Sequence, residues 1–289
     1  MREVSRTVST RDRATISYRV IRGESPRRVI ILIHGMASNM TRWSEFVEKT
    51  ELKDSWDLLR LDLRGHARSL YRGKTGMKVW CDDIKTILDH EGYEKAVLMG
   101  HCLGANIALQ FANRHPDNTA GLILIEPMPH EALTGALKTF QPLKPLFIIA
   151  ILLIRFLNRL GLYRRHFTHL DLQEMDRRTR VAMAEQGSDR AMLKRYAVPW
   201  HDLQLLPSTN YFQEFLEVSR PLPPLAGITA PVLALLSSGK RLSDPEITRR
   251  TLEDLPDCRI VMLDAHHWIP TEKPAEMMEA VQQWCGRLA

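Results

Sequence analysis

The chain has 289 residues, 44% hydrophobic and 26% charged, which suits one large globular α/β domain with an insertion, or two smaller domains. Its four cysteines, Cys81, Cys102, Cys258 and Cys285, are scattered and form no Cys-x-x-Cys pair. They exclude a disulfide framework and point to a reducing compartment. The start, Met1-Arg2-Glu3-Val4-Ser5-Arg6, has no apolar core, so a secretory signal is not expected and the cytoplasm is the expected location. The formal net charge of +6 is concentrated, with twelve Lys and Arg against five Asp and Glu between Lys138 and Val198. An acidic substrate, an anionic membrane surface or plain solvation of a helical face accounts for such an insert. No nucleic-acid partner is expected.

In chain order, Val4 to Val8 and Ala14 to Val20 alternate on either side of Thr10-Arg11-Asp12-Arg13, which predicts an antiparallel hairpin. Val29-Ile30-Ile31-Leu32-Ile33 is a continuous apolar run, hence a buried strand that breaks at His34-Gly35. Arg42 to Leu52 reads as helix and Trp56 to Leu63 as the next strand. Gly76 to Glu91 carries Val79, Ile84, Ile87 and Leu88 among charges and predicts a helix packed on the sheet. Ala96 to Met99 is a short apolar strand, and Ile107, Ala108, Phe111 and Ala112 follow at helical spacing. Gly121 to Ile125 is another buried strand, ending at Glu126-Pro127. The alternation then stops for about a hundred residues by these coarse boundaries. It resumes with a strand at Pro231 to Leu236, a helix from Pro245, a strand at Arg259 to Leu263 and a last helix at Pro274 to Cys285. The economical architecture is α/β, a mostly parallel sheet flanked by helices with a helical cap inserted after the sixth strand. Residues 1–126 and 229–289 are then the core and 127–228 the cap.

Between the fifth strand and its helix lies Gly100-His101-Cys102-Leu103-Gly104. Strand, tight Gly-flanked turn and helix form the setting of a nucleophile elbow. The central residue of such a turn is strained, and neighbouring Cβ atoms would clash. Here that residue is Cys102, where Ser is usual. A thiol at a helix N-terminus is biased toward the nucleophilic thiolate. The plainer reading is a small buried Cys in an ordinary turn. In the cap, Leu146 to Ile154 is a run of nine apolar residues, too few to span a bilayer, and Phe156, Leu157 and Leu160 extend it. The run is expected to bury one face on the core and offer the other to an acyl chain or a membrane interface, or to serve as packing alone.

Four signatures occur in order: His34-Gly35-Met36, Asp62-Leu63-Arg64-Gly65-His66, the elbow at Cys102, and His267-Trp268-Ile269-Pro270-Thr271-Glu272-Lys273-Pro274. With them the chain resembles the α/β-hydrolase superfamily of the capped type, departing from its usual Gly at Ala67 and Ala105. The resemblance implies His267 as the base, ahead of adjacent His266, and an oxyanion hole from the backbone N–H groups of Met36 and Leu103. For the acid it offers two places. Near the usual site Ser237 falls at the family's Gly and Lys240 at its Asp, leaving Asp244 close by; the other place is the strand before the cap, where Glu126 stands. Glu126 is preferred and Asp244 is the alternative. A Cys nucleophile is similar to that of dienelactone hydrolases and polyhydroxyalkanoate synthases, although length and cap match neither. Haloalkane dehalogenases and epoxide hydrolases use an Asp that Cys102 cannot replace. The expected activity is cofactor-independent, metal-free hydrolysis of small-molecule carboxylic esters or thioesters through a Cys-His-acid triad and an acyl-enzyme. An acyltransferase of the same fold, a ligand-binding homologue with little turnover, and a Ser-to-Cys substitution that traps a ligand are the alternatives. Lipid contact through the cap is a further expectation, and the oligomeric state stays open.

Overall fold

A computed structural model describes residues 2–23, 28–186, 196 and 198–288. Eight strands make one sheet: β1 (Val4–Ser9), β2 (Thr15–Ile21), β3 (Val29–Ile33), β4 (Asp57–Leu61), β5 (Ala96–His101), β6 (Thr119–Ile125), β7 (Val232–Ser237) and β8 (Cys258–Leu263). They lie in the order β1-β2-β4-β3-β5-β6-β7-β8. β1 pairs antiparallel with β2 and β2 with β4, while every pair from β4 to β8 is parallel. The α/β expectation is borne out.

Period-2 alternation explains why the central strands read as unbroken apolar runs. Ile31, Ile33, Leu59, Leu61, Leu98 and Leu124 face one hydrophobic layer. Their neighbours Ile30, Leu32, Leu58, Val97, Met99 and Ile123 face the other. Both layers are covered by helix, so both residues of each strand repeat must be apolar. α1 (Ser44–Lys49), α2 (Met77–Glu91) and α3 (Leu103–Arg114) follow strands β3 to β5. α2 buries Trp80, Ile84, Ile87 and Leu88 and ends at Gly92, whose φ of 75° suits a left-handed C-cap. The stretch expected to be one helix over Arg42 to Leu52 is divided. A 3-10 turn (Met40–Trp43), α1 and a second 3-10 turn (Glu51–Asp54) meet at an extended Thr50, whose side chain accepts from the Leu52 N–H.

Between β6 and β7 the chain is helical: α4 (Lys144–Arg159), α5 (Leu172–Gln186), α6 (Pro199–Leu205) and α7 (Ser208–Val218), with a short helix at Gly135–Thr139. The core resumes with α8 (Pro245–Leu252) and closes with α9 (Pro274–Cys285). α4 is longer than the nine-residue run suggested, because Lys144, Pro145 and the residues through Arg159 all join it.

The β5–α3 junction depends on two glycines. A Cβ at Gly100 would lie 2.2 Å from the Gly104 backbone, and one at Gly104 would lie 2.4 Å from the Ile33 carbonyl oxygen. Backbone on both sides leaves no flexible group to yield. Gly100→Ala should therefore cost about 1–3 kcal/mol as overpacking, read from the urea midpoint. Gly227→Ala, in open space, should stay within about 0.5 kcal/mol.

Candidate active site

Cys102 sits between β5 and α3 with φ 55° and ψ −117°, a region that costs a non-glycine residue about 1–3 kcal/mol. Its N–H donates to the Ile125 carbonyl at 2.9 Å, and its own carbonyl accepts from Ala105 and Asn106 at 3.0 and 3.3 Å. Those bonds fix the turn and start the helix. The side chain is turned to the wall of a cavity of about 360 Å³ and is only 7% exposed.

His267 lies on the loop after β8 and is fully buried. Its Nδ1–H donates to Glu126 Oε2 at 3.0 Å, and the ring lines the same cavity wall as Cys102. Burial alone would lower the His267 pKa, but the hydrogen bonds and charges of Cys102 and Glu126 outweigh it and raise the pKa to about 10. Cys102 and Glu126 thus both favour the charged form of the imidazole, against the effect of burial.

Glu126 leaves the end of β6 with φ 51°, which turns its side chain along the sheet edge. Ser237, the last residue of β7, fixes the carboxyl from beneath: its N–H donates to Oε1, and its hydroxyl donates to Oε2 at 3.0 Å. Asp244, the alternative acid, is placed elsewhere. It caps α8, accepting from the N–H groups of Glu246 and Ile247, and pairs with Lys240 at 2.9 Å. Its carboxylate is committed to that helix start, so the structure brings Glu126 and not Asp244 to His267. His266 points away as well, its Nδ1 2.8 Å from Glu272.

Met36 lines the cavity beside Cys102. The loop that carries it lies against the elbow, for a Cβ on Gly35 would come 3.3 Å from Cys102 Cβ. Leu103 opens α3, so its N–H has no acceptor within the helix. Met36 and Leu103 are thus the residues next to Gly35 and Cys102, where these two loops meet. His34 supports the loop as a neutral ring: Nδ1–H donates to the Gly35 carbonyl at 2.8 Å and Nε2 accepts from Leu63 N–H at 3.0 Å. Burial, and then the neighbouring His66, keep its pKa well below 6.5.

Several further side chains support these loops. Glu272 accepts from the backbone N–H groups of His266, His267 and Trp268 at 3.0, 3.2 and 2.9 Å and so shapes the loop that presents His267. Glu214, on α7, pairs with buried His66 and accepts from Ala37 N–H at 2.8 Å, fastening α7 to the Met36 loop. Burial lowers the His66 pKa, but Glu214 more than offsets this and it lies above 6.5. Arg42 is clamped to Asp176 of α5 at 2.6 Å and donates to the Thr271 hydroxyl at 2.8 Å. Asp202, on α6, lines the cavity, and burial together with Glu214 pushes its pKa up to about 7. Ser237 stands in the sequence at the family's Gly, and His66 and Glu272 fall within the quoted signatures, whereas Glu214, Asp176 and Asp202 carry no such mark.

The run Leu146 to Ile154 does not line this cavity. Leu137, Phe140, Leu170, Met175 and Phe215 do. α4 packs on the outer side of α7, which stands between it and the thiol, and of its residues Ile151 is buried.

A family model described as "alpha/beta hydrolase fold" matches residues 28–274. The chain is 24% identical over 259 residues to a Bacillus subtilis protein named "Uncharacterized hydrolase YugF", covering 88% of this chain and 89% of that protein. It is 20% identical over 273 residues to the mouse "sn-1-specific diacylglycerol lipase ABHD11", covering 92% of this chain and 83% of that protein. Among solved structures, a thermophilic esterase from Thermogutta terrifontis superposes with a TM-score of 0.65 at 21% identity. The match covers 100% of this chain and 99% of the esterase.

The raised His267 pKa has a consequence for stability. A histidine whose folded pKa exceeds its unfolded value stabilises fully below about 6.5, and the contribution is lost as pH rises through about 10. Removing the Glu126 charge should erase much of it. The stability gap between wild type and Glu126→Gln in urea should be widest at about pH 6.5, shrink as pH rises, and be small above about pH 10. A gap independent of pH would show that Glu126 does not act on the His267 proton.

Proposed function

The chain belongs to the alpha/beta hydrolase fold family, and from that premise we propose that this ester hydrolase works through Cys102 as nucleophile, His267 as base and Glu126 as the acid that orients it. The observation that carries the reading is the buried His267–Glu126 hydrogen bond, with His267 and Cys102 together at the wall of one apolar cavity. Residues 127–228 are taken as the cap over that cavity. All four cysteines are free thiols, which supports the cytoplasmic placement.

The chemistry follows from these roles. With the proton held on His267, the Cys102 sulfur attacks the acyl carbon. The oxyanion that forms is met by the Met36 and Leu103 N–H groups. His267 then gives its proton to the departing alcohol or thiol, leaving an acyl-thioester on Cys102. Water, deprotonated by the now neutral His267, attacks that thioester; collapse breaks the acyl C–S bond, releases the carboxylic acid, and leaves the proton on His267 beside the freed Cys102 sulfur as at the start. Glu126 keeps the ring in the tautomer that can do both, and stabilises the imidazolium. Esters and thioesters both fit, because a thiol leaving group departs readily by itself and an alcohol departs once His267 protonates it. An alcohol or amine in place of water would make the same enzyme an acyltransferase.

Incubation with an activated ester should add one acyl group to the intact protein, mapped to Cys102. An adduct on Cys81, Cys258 or Cys285 overturns the assignment. Glu126→Gln should lower kcat by roughly two or more orders of magnitude, whereas Asp244→Asn should leave turnover unchanged. The reverse pattern would move the acid to Asp244.

The apolar lining also sets a substrate trend. Each methylene buried against it contributes about 0.8 kcal/mol, so kcat/KM should rise from acetyl toward medium-chain esters. A steady fall beyond acetyl would reject the cavity as an acyl site.

A further inference from the structure

α4 has two unlike faces. On the inner side Phe147, Ile151 and Arg155 recur every four residues. Phe147 stacks on Phe212 at 5.3 Å and meets Phe215 edge-on at 5.0 Å. Ile151 is 3% exposed, and Arg155 donates to the Gly73 carbonyl at 3.4 Å. On the outer side Leu146, Ile149, Leu153, Phe156 and Leu160 follow at alternating three- and four-residue spacing, and each is 56–61% exposed. Leu152 and Leu162 widen that stripe. The stretch Gln141–Arg159 is long and apolar enough to cross a membrane by length and composition, yet only 6% of it is buried. An apolar stripe of this size on one helix marks an interaction surface.

Its charge selects the partner. From Ala132 to Leu170 the chain has six Lys and Arg (Lys138, Lys144, Arg155, Arg159, Arg164 and Arg165) and no Asp or Glu. Lys144 and Arg155 are held on the inner side, but two copies brought face to face would still set the exposed Lys138, Arg159, Arg164 and Arg165 against one another with no acid from either stretch, whereas an anionic bilayer supplies the countercharge. The inner-side contacts, together with Lys144 Nζ donating to the Ser219 carbonyl at 2.9 Å, hold α4 flat on the cap, so it lies on a membrane rather than through it.

We propose that the outer face of α4 docks this protein on an anionic lipid surface, with Leu146, Ile149, Leu153, Phe156 and Leu160 entering the acyl boundary. Phe140 ties the docking face to the cavity: it lines the cavity, is 42% exposed, and leads through Leu143 into α4. The proposal deepens the acyl-ester reading by giving apolar substrates a short path from the bilayer into the cavity, but docking itself needs no turnover.

Flotation of the full chain with vesicles tests it. The wild type should float with mixed phosphatidylcholine–phosphatidylglycerol vesicles, less with phosphatidylcholine alone, and less at high salt, where the charges are screened. Ile149→Asp/Leu153→Asp should cut partitioning roughly tenfold or more while leaving hydrolysis of a water-soluble ester intact. Such intact turnover also shows that the variant is folded. Wild-type protein that stays out of both vesicle fractions overturns the proposal, and so does flotation that the double variant leaves unchanged. Equal binding to both vesicle types overturns the choice of anionic lipid. A wild-type dimer in sedimentation velocity that the double variant converts to monomer would assign the face to a second copy instead. A protein that floats but does not hydrolyse esters refutes the catalytic reading and leaves the docking face standing.

Discussion

The close approach of α3 to the end of β5 is the constraint on which the rest depends. Gly100 and Gly104 let the helix start directly against the strand, and the residue between them is forced to φ 55°. Strain of this kind persists only where the surroundings over-determine it. Here the Cys102 N–H is tied to the Ile125 carbonyl at the end of the neighbouring strand, and Gly35 closes in from the other side. The result is a side chain placed at a helix N-terminus and turned to the cavity wall. The cavity, the Met36 loop and the His267 loop are all positioned relative to that one turn.

Buried carboxyl groups do the remaining positioning; Glu272, Glu126 and Glu214 answer backbone N–H groups, and Asp176 answers the Arg42 guanidinium. Glu272 gathers three successive amides of the His267 loop. Glu126 takes the Ser237 amide and hydroxyl while it faces His267. Glu214 and Asp176 sit on the helices between β6 and β7 and reach to Ala37, His66 and Arg42 on the other side of the cavity. Charges taken out of water need such compensation. The same bonds that satisfy them fasten the helices over the thiol, so cavity shape and loop geometry are set together.

The helical stretch between β6 and β7 divides its apolar residues between two tasks. Leu170, Met175 and Phe215 line the cavity, and the outer face of α4 is left exposed. An apolar run in that segment was expected to serve the cavity. It does not, because α7 already occupies the position next to the thiol and presents Phe212 and Phe215 to Phe147 behind it.

By itself the sequence determined the layered sheet and the elbow. Strands buried on both faces show as unbroken apolar runs, helices as 3.6-residue periods, and a Gly-x-Cys-x-Gly turn between them marks a close crossing whatever the rest of the chain does. Those are local signals, since the backbone periodicity and the absence of Cβ act within a few residues. The tertiary structure alone decided which carboxyl faces His267. Glu126 and Asp244 both follow strands, and only the turn at φ 51° and the seat made by Ser237, 111 residues away, separate a carboxyl aimed at an imidazole from one that caps a helix. The same holds for α4: its spacing shows that it has two faces, but which face is covered depends on where α7 comes to rest, a partner more than fifty residues on that no local pattern names.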